Sequence, residues 1–422
     1  MMAVMPEACR SREPFSFLMF LTLLACLFAS FFPERAHAQK AVEIDAQIGG
    51  DGERTRFVAF LSKAVDFRHF ALANPDRIII DLPQTDIQVP SGRGRGLVYS
   101  ARAGLFAEGK SRIVIDLAAP AVVEKSEVLP PRDGLPARLI VDLKKATAQA
   151  FAAATDKEMR RATETASLRS ESLKRDAKDK RPVIVLDPGH GGVDGGAVGA
   201  SGTIEKDVTL SFSQVLKQKL EERGRYKVVL TRTIDVFVPL DERTEIATAL
   251  KADLFISLHA DALDPKNPFG IKSVQEVRGA TVYTLSEKAS DAQAQAMAQR
   301  ENTSDIAAGL QQVSTPDFSA ELEQILNDLD NRIKKNRSLS FANQLISQLK
   351  GTLTFNVKPH RHADFRVLKA SGVPAVLFEL GYLSNAEDEK LLSSPDWRKS
   401  VAAEFASAID IFMAEKQARL PF

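Results

Sequence analysis

The sequence predicts an α/β domain, a central sheet covered by helices on both faces, preceded by a small all-β domain. Three observations predict it. Short β-branched runs separated by turn residues occupy about 40–145. From Val183 onward, strands alternate with segments of helical periodicity, which implies a sheet with helices packed on it. Between them, about 146–181, lies an Ala-rich, charge-mixed stretch whose one aromatic is Phe151, and it reads as a linker.

The chain opens with Arg10 and Arg12, an apolar run from Phe15 to Phe32, and Ala36-His37-Ala38. That order describes a secretory signal peptide over 1–38, removed after Ala38, so the protein is expected to be exported. Cys9 and Cys26 both lie in that leader, which leaves the mature chain without a thiol. A cysteine nucleophile, thiolate metal ligands and disulfides are thereby excluded. Lys plus Arg is 56 against 55 for Asp plus Glu, a balance that excludes a strongly basic nucleic-acid binder. No second long apolar run follows, so no transmembrane span is expected after signal cleavage.

In the all-β region one pattern occurs three times: Arg77-Ile78-Ile79-Ile80-Asp81-Leu82, Arg112-Ile113-Val114-Ile115-Asp116-Leu117 and Arg138-Leu139-Ile140-Val141-Asp142-Leu143. Each is a strand candidate, bounded by turns such as Asn74-Pro75-Asp76 and Pro90-Ser91-Gly92. After the linker, Val183–Leu186 is a buried-type strand, and Val208, Phe212, Val215, Leu216 and Leu220 share one helical face that Gly224 ends. Tyr226–Leu230, Leu254–Leu258, Gly279–Leu285 and Ala375–Leu380 are further strands, and Leu240–Ala252 is a helix. A long helical region, about 286–350, exceeds what a crossover needs and is expected to be an insertion with its own role.

Chemistry-bearing residues cluster at the strand ends. His190 follows the first strand in Asp187-Pro188-Gly189-His190-Gly191-Gly192, Glu205 precedes a helix, and His259 directly follows 254–258. Sites of α/β sheets form at these carboxyl ends. A His, Glu, His set suits zinc-assisted hydrolysis, because three protein ligands leave a fourth position for water. Glu379, inside the apolar run Val376-Leu377-Phe378-Glu379-Leu380, is the candidate general base. Taken singly, each has a plainer alternative. The glycine-rich loop could cradle phosphate, although it lacks the P-loop and dinucleotide spacings. His190 could be a core residue, Glu205 a surface carboxylate, and Glu379 the partner of an arginine such as Arg366.

Together, Leu186–Gly192, Glu205-Lys206-Asp207, Ser257-Leu258-His259-Ala260-Asp261 and Phe378-Glu379-Leu380-Gly381-Tyr382-Leu383-Ser384-Asn385 resemble, in order and spacing, the zinc-dependent N-acetylmuramoyl-L-alanine amidases of the amidase 3 family, cell-division branch. The resemblance covers about 182–415, and the region ahead of it is similar to the AMIN domain, a peptidoglycan-targeting module. It implies one catalytic zinc ion held by His190, Glu205 and His259, with Glu379 catalytic. It further implies a periplasmic enzyme that cleaves the amide between N-acetylmuramic acid and L-alanine during cell separation. Ala296–Asn302 looks similar to the family's autoinhibitory element, which makes Glu301 the candidate that blocks the zinc site until a LytM-domain activator displaces it. Some relatives carry a further histidine where this chain has Asn356, and the nearby His360 and His362 fit the metal set less well. A zinc peptidase acting on stem peptides and a catalytically silent wall-binding regulator are the alternatives.

Overall fold

A computed structural model describes residues 47–90, 94–152, 155, 178–263, 277–310 and 321–418, without the side chains of 321–331 and 416–418. The leader over 1–38 and most of the linker lie outside the described residues.

The first domain contains β1 (Ile48–Gly50), β2 (Arg54–Leu61), β3 (Arg68–Leu72), β4 (Arg77–Pro83), β5 (Ile87–Gln88), β6 (Val98–Ala107), β7 (Lys110–Leu117), β8 (Ala121–Leu129) and β9 (Ala137–Lys145). One antiparallel sheet runs β1-β2-β9-β8, with β5 paired to β2, and the other runs β3-β4-β7-β6. The three repeated runs are β4, β7 and β9, as the sequence predicts. Phe57, Leu61, Leu139 and Val141 of the first sheet meet Ile78, Ile80, Ile113 and Ile115 of the second in one core. Strand alternation turns Ile79 and Val114 to the outer face of the second sheet. They are nevertheless fully buried, in a separate cluster with Val193, Phe237 and Ala308 of the following domain.

The second domain contains β10 (Val183–Pro188), α1 (Glu205–Glu221), β11 (Lys227–Leu230), α2 (Leu240–Ala249), β12 (Leu254–His259) and β13 (Ala280–Leu285). It continues with α3 (Ala292–Glu301), α4 (Ser304–Ala307), α5 (Glu321–Leu349), β14 (Phe355–Ala363), β15 (Ala375–Glu379), α6 (Ala386–Leu392) and α7 (Pro395–Ala418). The sheet order is β11-β10-β12-β15-β13-β14. Its first four strands are parallel, whereas β13 runs antiparallel to β15 and parallel to β14. The central strands β10, β12 and β15 are buried throughout, which is why they are continuous apolar runs rather than alternating ones.

Phe212 and Leu216 of α1, Phe341 and Leu345 of α5, and Phe405 and Ile409 of α7 pack in one cluster on the sheet. Leu240 and Ile246 of α2 join Ala294 and Met297 of α3 in the other. Full burial of a side chain such as Phe212 stabilises the fold by about 1.5–3 kcal/mol. The two clusters correspond to the two helical layers expected from the sequence.

Two differences from the sequence reading concern the site. β14 was not among the expected strands: Phe355-Asn356-Val357-Lys358-Pro359-His360-Arg361-His362-Ala363 has polar residues throughout and a proline, both tolerated because the strand lies at the sheet's edge. The 286–350 region also divides. Phe341, Ala342, Leu345 and Leu349 put the end of α5 in one core cluster, and Ala294, Met297 and Ala298 put α3 in the other, on the side of α2. Among the described residues, no helix is long and apolar enough to cross a membrane.

Candidate metal centre and active site

The carboxyl ends of β10, β12 and β15 meet at one place. Asp187, near the end of β10, is fully buried and accepts hydrogen bonds from Thr231 (2.6 Å), Ser257 (2.7 Å) and Arg243 (2.8 Å). Arg243 also donates to the carbonyls of Pro188 and His190, each at 2.9 Å. Arg232 donates to Pro188 (3.0 Å) and Gly189 (2.9 Å). These bonds hold His190 at φ 59°, a left-handed conformation that costs a non-glycine residue on the order of 1–3 kcal/mol. Gly189 leaves room for the second imidazole: a Cβ there would lie 2.5 Å from His259 Cε1.

His190, Glu205 and His259 converge. Glu205 is the first residue of α1 and is buried; its oxygens accept from the backbone N–H groups of Ala197 and Ala260, both at 2.9 Å. The same oxygens stand 3.2 Å from His190 Nε2 and 3.1 Å from His259 Nδ1. On its other side, His190 Nδ1 meets Asp194 Oδ2 at 2.9 Å, a contact that orients the ring. Burial alone would lower the His190 pKa, yet the carboxylates of Glu205, Asp194 and Glu301 hold it well above the ordinary value. Burial would likewise raise Glu205, but the two imidazoles hold it well below.

Glu301, the last residue of α3, enters the same space. Its Oε2 lies 3.1 Å from His259 Nδ1 and 3.5 Å from His190 Nε2. Ligand atoms of His190, His259 and Glu301 all lie within 4.8 Å of one another, a metal-competent cluster in which all three side chains are buried. Glu205 falls outside that triple, although its oxygens are about as near the two imidazoles. His190 Nε2 makes no hydrogen bond despite these close oxygens, and Glu301 Oε1 has no partner either. His259 Nδ1 does hydrogen-bond Glu205 Oε1 at 3.1 Å, but the buried and unpartnered His190 Nε2 and Glu301 Oε1 beside it suit a shared cation, so the residues present fit a metal ion.

Glu379 ends β15 and pairs in register with His259 of β12. It is fully buried; Oε2 accepts from the N–H of Asp261 at 3.1 Å, and Oε1 has no partner. Burial, with the charges of Asp261, Glu205 and Glu301, pushes its pKa well up, as suits a group that takes and returns a proton. The arginine alternative falls, because Arg366 pairs with Asp241 (2.9 Å) and Asp305 (3.2 Å). His360 bonds Thr284 Oγ1 at 3.0 Å on the edge strand, and Asn356 donates to the Arg278 carbonyl at 3.2 Å.

The segment behind Glu301 is fastened to the site. Asp291 caps α3 by accepting from Ala294 N–H at 3.0 Å. Arg300 donates to Asp261 and to the Ala262 carbonyl, and Ser304 donates to Asp194. Asp305 accepts from Leu240 N–H at 2.9 Å. Sequence reasoning missed Asp194, Asp261 and Arg300 as site residues. Asp194 had a usable signal, four residues past His190 in the same loop. Arg232 and Arg243 had none, because they mainly bind backbone carbonyls that no sequence pattern marks.

The fold and site define an α/β enzyme built round a metal-competent cluster of histidines and carboxylates. Comparison with known proteins specifies the enzyme. A family model described as N-acetylmuramoyl-L-alanine amidase matches residues 184–410, and a model of the AMIN domain matches 43–129. The N-acetylmuramoyl-L-alanine amidase AmiC of Escherichia coli O6:H1 is 30% identical over 376 residues, covering 86% of this chain and 87% of that protein. AmiC of Neisseria meningitidis serogroup B is 32% identical over 377 residues, covering 85% and 87%. The solved catalytic domain of the amidase CwlV from Bacillus (Paenibacillus) polymyxa is 27% identical, covering 55% of this chain and 98% of that one, with a TM-score of 0.39. The chain belongs to the N-acetylmuramoyl-L-alanine amidases and carries an AMIN domain ahead of the catalytic one. It hydrolyses the amide bond that joins N-acetylmuramic acid to L-alanine in peptidoglycan.

Proposed function

We propose that this amidase is a zinc enzyme of the periplasm that splits septal peptidoglycan and is held off by Glu301 until a LytM-domain activator displaces the α3–α4 segment. His190, Glu205 and His259 would hold the zinc ion. Bound there, zinc supplies a Lewis acid and a water of lowered pKa. Glu379 accepts the proton of the attacking water and returns it to the leaving amine of L-alanine. The N–H of Asp261 holds Glu379 in place, and Asp194 keeps the His190 ring turned toward the cluster.

The observation that carries the regulatory reading is Glu301 Oε2, buried between the same two imidazoles that Glu205 bridges. With the metal bound, a carboxylate there would take the position a substrate carbonyl or water needs. Septal placement and the periplasm are supported by the AMIN match, the AmiC relatives and the leader-like start of the chain.

The test is digestion of purified peptidoglycan by the parent and by Glu301→Ala, with products identified by mass spectrometry. Stem peptides bearing a free L-alanine amino terminus should come abundantly from the variant and sparsely from the parent. Equal release by both would discard Glu301 as the plug, and internally cut peptides would move the assignment to a peptidase.

A further inference from the structure

Three arginines of the first domain reach the segment that follows Glu301. Arg77 of β4 donates to the Ile306 carbonyl, and Arg102 of β6 donates to that of Ala307 at 2.7 Å. Arg112 of β7 donates to the carbonyls of Ala308 (3.3 Å) and Gly309 (3.1 Å). These four carbonyls lie at and just past the end of α4, where helix geometry leaves most C=O groups without intrahelical donors; Ile306 O also accepts from Gly309 N–H at 2.9 Å. The arginines are braced from behind. Arg112 forms a two-bond pair with Asp81 (2.7 and 3.1 Å), both side chains being 5% exposed, and Arg102 pairs with Asp116.

Apolar contact surrounds the polar one. Ala308 and Leu310 pack with Ile79, Val114, Val193 and Phe237, and Phe106 stacks on Phe237 at 5.9 Å between centroids. The loop that carries His190 touches the same sheet. Leu105 O accepts from Phe237 N–H at 3.1 Å, and a Cβ on Gly192 would lie 1.9 Å from that oxygen. Ile79 and Val114 are fully buried on the outward face, whereas Ile140, their counterpart in the third repeat, is only half-buried. The second sheet of the first domain is therefore shaped to be covered.

We propose that this sheet is the latch of the autoinhibited state: Arg77, Arg102 and Arg112 grip 306–309 and thereby hold Glu301 in the metal cluster. The proposal rests on the reading of Glu301 as the plug. It makes the wall-targeting domain part of the control of the active site, so that separating the sheet from 306–310 frees the plug without any change in the catalytic residues.

The test uses the full mature protein with Arg102→Ala, whose side chain is partly exposed, and Leu310→Ala, which leaves the first domain untouched. Hydrogen exchange is followed over 292–309 alongside turnover on peptidoglycan. Loss of one charge-assisted contact should speed exchange over 292–309 about tenfold, with β10, β12 and β15 unchanged. Turnover should rise in the parent background and gain nothing further when Arg102→Ala is added to Glu301→Ala. Unchanged exchange over 292–309 in both variants, with melting curves showing both folded, overturns the latch. Faster exchange combined with no activation by Glu301→Ala keeps the latch and removes Glu301 as the plug.

Discussion

Glu205 and Glu301 reach the same two imidazoles from different parts of the chain, and they are held in opposite ways. Glu205 sits at the start of α1, and two backbone N–H groups satisfy its oxygens wherever the histidines go. Glu301 ends α3; one of its oxygens has no partner, and its segment is fastened to other elements through its own side chains Arg300, Ser304 and Asp305. A carboxylate satisfied by its own surroundings suits the proposed built-in ligand. One that is satisfied only by the cluster suits the proposed displaceable plug, because its departure would break side-chain contacts rather than backbone structure.

The largest expected effect separates catalysis from metal binding. In the Glu301→Ala background, Glu379→Ala should lower turnover by about 100- to 10,000-fold while zinc content, measured by mass spectrometry of the metal, stays stoichiometric. Parallel loss of zinc would merge the two roles. Next comes the direct contrast between the carboxylates. Glu205→Ala should weaken zinc binding by more than the ~10–100-fold that outer partners cost, whereas Glu301→Ala should retain the metal and gain activity. Equal zinc loss in the two variants would break the distinction between ligand and plug. Asp194→Asn tests the support of His190, and a competitive zinc titration should show a drop of about 10–100-fold.

A smaller effect concerns the sheet whose arginines hydrogen-bond the carbonyls of 307–309. Arg112→Ala leaves Asp81 buried with only Lys110 (3.3 Å) and Arg68 (3.5 Å) nearby, so urea unfolding should show a loss of about 3 kcal/mol, the low end for a broken buried pair. The smallest effect is acid sensitivity. Burial would raise the Asp81 pKa, but the hydrogen bond and charge of Arg112, with Lys110, outweigh it and hold it below the ordinary value of 3.8. A depressed carboxyl contributes stability that is full above the unfolded value and is lost as pH falls through the folded one. The first domain should therefore weaken below about pH 4, and Asp81→Asn should flatten that limb in circular-dichroism melts. An unchanged limb would place the acid sensitivity elsewhere.

Much of the fold was legible because it rests on local pattern. β10, β12 and β15 announce themselves as continuous apolar runs, and α1 by its spaced Val208, Phe212, Leu216 and Leu220. β14 was hidden because an edge strand needs no apolar alternation. Asp187 lay in a quoted motif, but its three hydrogen-bond partners come from three other segments, and nothing in the run Asp187–Gly192 names them.

The sequence by itself determined which residues stand at the carboxyl ends of the central strands, and therefore which groups are available for hydrolysis. Side-chain type and strand periodicity are local properties, and His190, His259 and Glu379 follow from them. The likeness of Ala296–Asn302 to a known element singled out Glu301, but only the tertiary structure decided that its carboxylate lies beside both imidazoles and that Arg77, 229 residues before Ile306, contacts the segment behind it. Such contacts depend on how two domains of the chain pack, and that packing is governed by shape and hydrogen-bond satisfaction across a distance in sequence that no local pattern spans.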